Sequence, residues 1–327
     1  MFLGSGGLTV RQPGFLDRVA SRVVFHDSYA KRRFMPQLTA RQHALIDQLR
    51  SDGCIVLERY LPARLLSRLQ QDLDAALRAL KFEMPSLAQT RVDPVRHAAL
   101  IDNFLYGSPQ QLKAQGAAFD RDEARDYEQV LRDFNPSTLS VQPFGYSPAF
   151  REAWLDPFLL GIVSGCMGMV PKLSEAYVRR NFPAPHRTMN HFWHRDLNTP
   201  FHLLKIFFFL TDCARDTGPH EFINESHRRL DVLNGQRYFT DPEVDRAYPA
   251  GDPRRVVSEV RAGTVIIEDT RGLHRAQLPQ TGYRDLGYAV FVPLRPFYPH
   301  RNYEFPRAAY RQFSAFQQAF IPDAMLV

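Results

Sequence analysis

His194-Arg195-Asp196 stands past the middle of the chain, His274 lies far downstream, and Arg284 follows ten residues later. Two imidazoles and one carboxylate are the donor set of a 2-His-1-carboxylate site. Such a site covers one face of an Fe(II) ion and leaves positions open for a co-substrate and O2. A strand sends alternate side chains to one face, so His194 and Asp196 point the same way and Arg195 points outward. His274 must come from a second strand. The run Thr264-Val-Ile-Ile-Glu-Asp-Thr270 ends in a turn at Arg271-Gly272, which places His274 at a strand start. His191 is a competing ligand by sequence distance, but its parity is opposite to that of His194, so it reads as packing or support. His202, His220 and His227 read as turn or surface residues. An HxD pair alone says little in a chain with 11 His, so the elements around it must carry the reading.

Those elements change character along the chain. Gly4, Gly6, Gly7, Pro13, Gly14 and Pro36 break up residues 1–37, which read as irregular. Thr39 can cap a helix over Ala40–Arg50, and Asp52-Gly53 ends it. Cys54–Tyr60 reads as a short strand. After Pro62, the residues Leu65, Leu66, Leu69, Leu73, Ala76, Leu77 and Leu80 form a long apolar stripe at helical spacing, a core face. Residues 84–147 show little period, apart from a charged stretch, Asp120–Asp133, that reads as an exposed helix. Residues 149–168 read as helix again. Beyond Leu173 come strands and turns: Ser174–Asn181, Met189–Arg195, Leu203–Thr211, Glu221–Ile223, Val256–Val260, Thr264–Asp269 and Gly287–Val292. Many short strands with turn signals between them favour a sandwich, barrel or jelly roll. The polar stretch 228–255 reads as a long loop.

Composition bounds the rest. With 327 residues, 44% of them hydrophobic, the chain can bury a large core. The net charge is +6, and only five of the 41 basic residues are Lys. The basic pairs are scattered, and no dense basic run or base-stacking pattern points to nucleic acid. Three widely spaced Cys without a CxxC pair argue against a disulfide framework and for a reducing, cytoplasmic setting. The apolar run Ile206–Leu210 is far short of a membrane span, and the first residues lack the features of a secretory signal.

Residues 174–293 resemble the phytanoyl-CoA dioxygenase family of Fe(II)/2-oxoglutarate oxygenases. The resemblance rests on ordered blocks: His191-Phe-Trp-His-Arg-Asp196, Leu204-Lys-Ile-Phe-Phe-Phe-Leu-Thr-Asp212, Thr217-Gly-Pro-His220, Ser226-His227-Arg228, Gly263-Thr-Val265, Asp269-Thr-Arg-Gly-Leu-His-Arg275, and Arg284 before an apolar strand. Asp52-Gly53-Cys54-Ile55-Val56-Leu57 is similar to the family's opening. The resemblance implies a mainly β fold with flanking helices around a double-stranded β-helix, a cupin-like jelly roll. The chain reads as a single 1–327 domain with an irregular 1–37, a mostly helical support 38–170, a jelly-roll core 171–295 and a C-terminal segment 296–327.

The same resemblance implies Fe(II) on His194, Asp196 and His274, with 2-oxoglutarate and O2 as co-substrates. Arg284 suits the far carboxylate of 2-oxoglutarate, because a guanidinium pairs a carboxylate through two bonds. Lys205, in an otherwise apolar strand, reaches either the co-substrate or an acidic substrate, or faces solvent. Tyr177 and Asn181 share a strand face with Arg179 and line the pocket if that face is inward. Two departures stand out: Ala276 replaces a small hydroxyl residue, and Glu225 replaces a glycine. The implied reaction is hydroxylation of an unactivated C–H bond of a small molecule, releasing succinate and CO2, and the Arg-rich surface favours an acidic or carrier-bound substrate. Desaturation or ring closure uses the same ligands, whereas halogenation needs the position of Asp196 vacant. A metal-binding β-barrel without turnover is the rival of a different class. The tail aromatics Phe297, Tyr298, Tyr303, Phe305, Tyr310, Phe313 and Phe316 read as a cover over the core rather than a lid.

Overall fold

Alternation along Leu204–Phe209 decides the architecture. Phe207 and Phe209 face one way, Ile206 and Phe208 the other, and all four are buried, so this strand has a layer on each side. The computed structural model describes residues 14–79, 82–84, 123–134, 137–184, 187, 189–196, 203–233, 238–293 and 303–327. In chain order its strands are β1 (Cys54–Leu57), β2 (Thr138–Val141), β3 (Lys172–Asn181), β4 (Trp193–His194), β5 (Leu204–Phe209), β6 (His220–Ile223), β7 (Tyr238–Phe239), β8 (Arg255–Val257), β9 (Val265–Glu268), β10 (His274–Ala276) and β11 (Arg284–Val292). A larger antiparallel sheet runs β1-β9-β5-β11-β3-β2, and a smaller one β8-β6-β10-β4-β7. A separate ribbon pairs Phe82–Met84 with Glu123–Arg125.

The helices are α1 (Phe15–Val24), α2 (His26–Ala30), α3 (Ala40–Asp52), α4 (Ala63–Ala79), α5 (Tyr127–Phe134), α6 (Pro148–Trp154), α7 (Pro157–Met167), α8 (Asp241–Ala247), α9 (Arg307–Tyr310) and α10 (Ala315–Gln318). Phe207, Phe209, Phe222, Ile266, Leu286 and Tyr288 pack between the two sheets. Ile55, Ile206, Phe208, Ile267 and Ala289 pack on the helical side, with Leu69 and Leu73 of α4 and Trp154 of α6. Trp193, Ile223, Leu273 and Phe239 seal the outside of the smaller sheet against Val244 of α8. This is the expected jelly-roll core with helices on its flank. An isolated bridge pairs Cys213 with Val260 outside the named strands, and the described residues do not close into a barrel.

Local chemistry sets the helix ends. Thr39 Oγ1 accepts from the Gln42 amide at 3.2 Å, and the Gln42 side chain accepts from the Thr39 amide at 2.9 Å, satisfying two otherwise unpaired donors. Gly53 takes φ +86° to end α3 and start β1. The helix expected over 149–168 is two helices. Asp156 accepts from the amides of Phe158 and Leu159, and Pro157 starts a new helix after the break.

Four expectations need correction. Within the helix expected over Asp120–Asp133, Glu123–Arg125 is a strand and the helix starts only at Tyr127. Residues 15–34 are not irregular: they form α1, α2 and a short 3-10 turn, because glycine and proline bracket this stretch without entering it. The long loop expected over 228–255 contains α8, started by a capping box between Thr240 and Glu243 and by Pro242. The strand expected over Met189–Arg195 shrinks to Trp193–His194, preceded by a 3-10 turn. The tail behaves as a cover: Tyr303, Phe305 and Phe316 are buried in the helical-side core, whereas Phe297 and Tyr298 lie outside the described residues.

Gly287 marks the tightest contact of sheet and helix. A Cβ there would run into the Trp154 ring, which stacks on Phe208 with centroids 4.1 Å apart and donates Nε1–H to the Tyr288 carbonyl at 2.7 Å. Gly287→Ala is therefore expected to destabilise the protein by about 1–3 kcal/mol through overpacking, read as a fall in thermal midpoint. An unchanged midpoint would show that Trp154 has room to move.

Candidate metal centre

The turn Asp269–Gly272 assembles the site. Asp269 donates its amide to the Gly53 carbonyl at 2.8 Å and holds Arg271 through two side-chain bonds. The Thr270 carbonyl accepts from the Asp196 amide at 2.8 Å, fixing the carboxylate-bearing residue to the turn that precedes β10. His274 is then the direct register partner of His194 across β10 and β4. The two rings lie 4.2 Å apart between centroids.

Second contacts select the nitrogen that faces inward. His194 Nδ1 lies 2.8 Å from the Phe192 carbonyl, and His274 Nδ1 lies 3.0 Å from the Gly272 carbonyl. A carbonyl only accepts, so both Nδ1 atoms carry the hydrogen and both Nε2 lone pairs are left for a metal. Asp196 Oδ1 lies 4.0 Å from His194 Nε2, and Oδ2 lies 3.4 Å from His274 Nε2. The three ligand atoms all fall within 4.8 Å of one another. Burial, and next the neighbouring His274, hold His194 well below its ordinary pKa and so neutral. Burial pushes the Asp196 carboxyl up, but Lys205, His274 and His194 outweigh it and hold it well below the usual carboxylate range. An ionised carboxylate beside two imidazoles whose Nε2 atoms face inward fits a divalent iron.

Lys205 is turned inward, not toward solvent, and its Nζ forms an ion pair with Asp196 Oδ2. Tyr177 also faces inward: it packs on the cluster between the sheets and stacks on Tyr288, centroids 5.1 Å apart. Arg179 lies across both rings, 4.8 and 4.7 Å from their centroids. Asn181 is the register partner of Arg284; its Oδ1 accepts from Arg284 Nη2 at 3.2 Å, and its Nδ2 donates to Thr138. Arg284 is fully buried. Its Nη1 donates to the Gly218 carbonyl, its Nε has no hydrogen-bond partner, and no carboxylate pairs with it among the described residues. A buried guanidinium left without an anion is costly, so this one suits a carboxylate-bearing ligand.

Several readings change. Arg195 points away from the triad but not into solvent: it is buried and donates to the carbonyls of Ser226, Arg271 and Val232. His220 is buried with Nε2 at 2.9 Å from Glu268 Oε2, and His227 is buried with Nε2 at 3.1 Å from the Arg50 carbonyl. His191 is buried, as expected for a packing residue, and His202 lies outside the described residues. Glu268 was missed. It is fully buried, faces Lys205 and Cys54 in register, and accepts from the Cys54 thiol at 3.7 Å. Its sequence signal is parity, because it lies two residues beyond Ile266, which packs between the sheets.

The pattern of Phytanoyl-CoA dioxygenase (PhyH) matches residues 49–282, well over half of the chain, and spans the triad. The chain belongs to the phytanoyl-CoA dioxygenase family. The family's chemistry uses Fe(II), 2-oxoglutarate and O2, so this member is an oxidoreductase of the dioxygenase type. No curated protein matches it in sequence. Among solved structures it is similar to the non-heme α-ketoglutarate-dependent carbocyclase SnoK from nogalamycin biosynthesis, at 18% identity over 78% of this chain and 84% of that one, with a TM-score of 0.47. HygX from Streptomyces hygroscopicus, with nickel, 2-oxoglutarate and hygromycin B bound, is similar at 16% identity over 80% and 89%, TM-score 0.45. EctD from S. alaskensis is similar at 20% identity over 78% and 77%, TM-score 0.46. One departure of this family member explains itself locally. Glu225, where a glycine is usual, sits at φ +66°, the left-handed conformation that glycine adopts without strain.

Proposed function

We propose that this dioxygenase hydroxylates an unactivated C–H bond of a small molecule, with His194, Asp196 and His274 as the iron ligands and Arg284 as the anchor for 2-oxoglutarate. The buried Arg284 guanidinium without a carboxylate partner among the described residues carries the reading, because it faces the same space between the sheets as the triad. Iron and 2-oxoglutarate supply the oxidising chemistry when bound, consuming O2 and releasing succinate and CO2.

The chain's own residues position and protect. Asn181 holds the Arg284 fork toward the interior. The Phe192 and Gly272 carbonyls fix the ring orientation of the two His ligands. Phe207, Phe209 and Leu286 exclude water from the space around them. His220 is the register partner of Ala276, so it stands beside the position where a hydroxyl is missing, and we assign it and Glu268 to the wall of the co-substrate's path. Arg179, held across Tyr177 and Tyr288, brings a further cation to this interior and supports an acidic substrate.

Anaerobic visible absorption tests the reading. Addition of Fe(II) and then 2-oxoglutarate to the purified protein is expected to produce a charge-transfer band that needs both, and His194→Ala is expected to abolish it. A folded protein that shows no band would lack the chelated co-substrate, and the metal barrel without turnover would take its place.

A further inference from the structure

Helix α1 is packed inside out. Phe15, Leu16, Val19 and Val23 fall on one arc of the helix, and they are 79%, 79%, 49% and 76% exposed. Ser21, on the other side, is buried, as are Phe25 and Ser28 just beyond. A helix that only covers a core buries its apolar arc and exposes its polar one. The orientation is held from below: Ser21 Oγ lies 3.4 Å from Tyr29 Oη, and the Val170 amide donates to the Ser28 carbonyl at 3.1 Å. The same stretch is basic. Residues 14–34 contain Arg18, Arg22, Lys31, Arg32 and Arg33 against Asp17 and Asp27, and Arg22, Arg32 and Arg33 are exposed.

We propose that α1 seats this protein on an anionic membrane surface. An exposed apolar arc with Arg22 beside it, followed by the exposed Arg32 and Arg33, suits a helix that lies in the lipid interface, its apolar side among the acyl chains and its cations at the headgroups. A second copy of the chain fits less well, because a ten-residue helix offers far less than the roughly 20–30 residues a side of a stable protein interface. Attachment is peripheral, since no helix among the described residues is long and apolar enough to cross a membrane.

The test is co-sedimentation of the full chain with vesicles of phosphatidylcholine alone and of phosphatidylcholine with phosphatidylserine, beside sedimentation velocity without lipid. Binding is expected only to the phosphatidylserine vesicles, weakened by salt. Val19→Asp/Val23→Asp is expected to lose on the order of tenfold or more of it, as apolar burial is removed and negative charge added. Both positions are exposed, so an unchanged circular-dichroism melt confirms that the variant folds. Equal binding to the two vesicles, or equal binding by the variant, overturns the proposal. A lipid-free dimer that the variant splits assigns the face to a second copy and overturns it too. Binding gained only when residues 1–13 are deleted assigns the face to that segment, with the same consequence.

Discussion

Arg284→Leu is expected to weaken 2-oxoglutarate binding by about a hundredfold or more without destabilising the ligand-free protein. Truncating one partner of a buried charged pair costs about 2–5 kcal/mol in binding, which spans roughly 30-fold to several thousandfold. The stability half follows from what Arg284 lacks. Its removal leaves the Gly218 carbonyl and Asn181 Oδ1 without a donor, a cost of about 1–3 kcal/mol each. It also relieves a buried charge that has no carboxylate partner among the described residues, worth several kcal/mol. The two effects oppose each other, so the ligand-free thermal midpoint should hold while the stabilisation added by 2-oxoglutarate disappears. Anaerobic calorimetry for affinity and metal analysis for iron separate the outcomes. Iron lost along with 2-oxoglutarate, or an unchanged affinity, would remove Arg284 from its assigned place.

The fold was legible where a residue's preference and its tertiary role agree. Leu65, Leu69, Leu73 and Leu77 form a helical stripe and bury it, and Thr39 caps the helix it precedes. The alternation Ile206, Phe207, Phe208, Phe209 predicts a strand and forms one with a layer on either face. Legibility failed where tertiary context decides. Helix α1 has a clear apolar arc but presents it to solvent, so it does not read as part of the core. Helix α8 lies in a polar stretch where only a capping box and one buried apolar residue, Val244, mark it.

At the site, the convergence of His194, Asp196 and His274 was readable from residue type and spacing, although β4 ends at His194 and Asp196 lies in the bend beyond it. The partners behind them were not. Glu268 meets Lys205 and Cys54 only through the register of β9 with β5 and β1, and His220 meets Glu268 across the space between the sheets. Such contacts join residues far apart in sequence, and no local pattern encodes them. Arg195 shows the same limit. It turns away from the triad as predicted, although the strand ends at His194, and the loop carbonyls that bury it come from residues 226–233 and 271.

Asp196 pairs with Lys205 and is proposed as an iron ligand, and a double-variant series is expected to separate the two roles. Asp196→Ala should remove metal binding, a larger loss than the 10–100-fold that follows removal of a partner behind a ligand. It should also lower the thermal midpoint of the metal-free protein, because Lys205, with its side chain only 16% exposed, loses its ion pair. Breaking such a pair from one side costs about 3–5 kcal/mol. Lys205→Met alone should keep the metal, with an affinity change inside the 10–100-fold range, since only support for the ligand is altered. Its stability loss should appear in the metal-free protein and shrink on metal loading, because the ion then compensates the Asp196 carboxylate. Asp196→Ala/Lys205→Met should recover stability but not metal, because no buried charge remains unpaired and a ligand is still missing. Thermal melts with and without Fe(II), beside metal titration, read all four proteins. A double variant as unstable as Asp196→Ala would mean that Lys205 is not what the carboxylate stabilises, and wild-type metal affinity in Asp196→Ala would take that residue out of the metal centre.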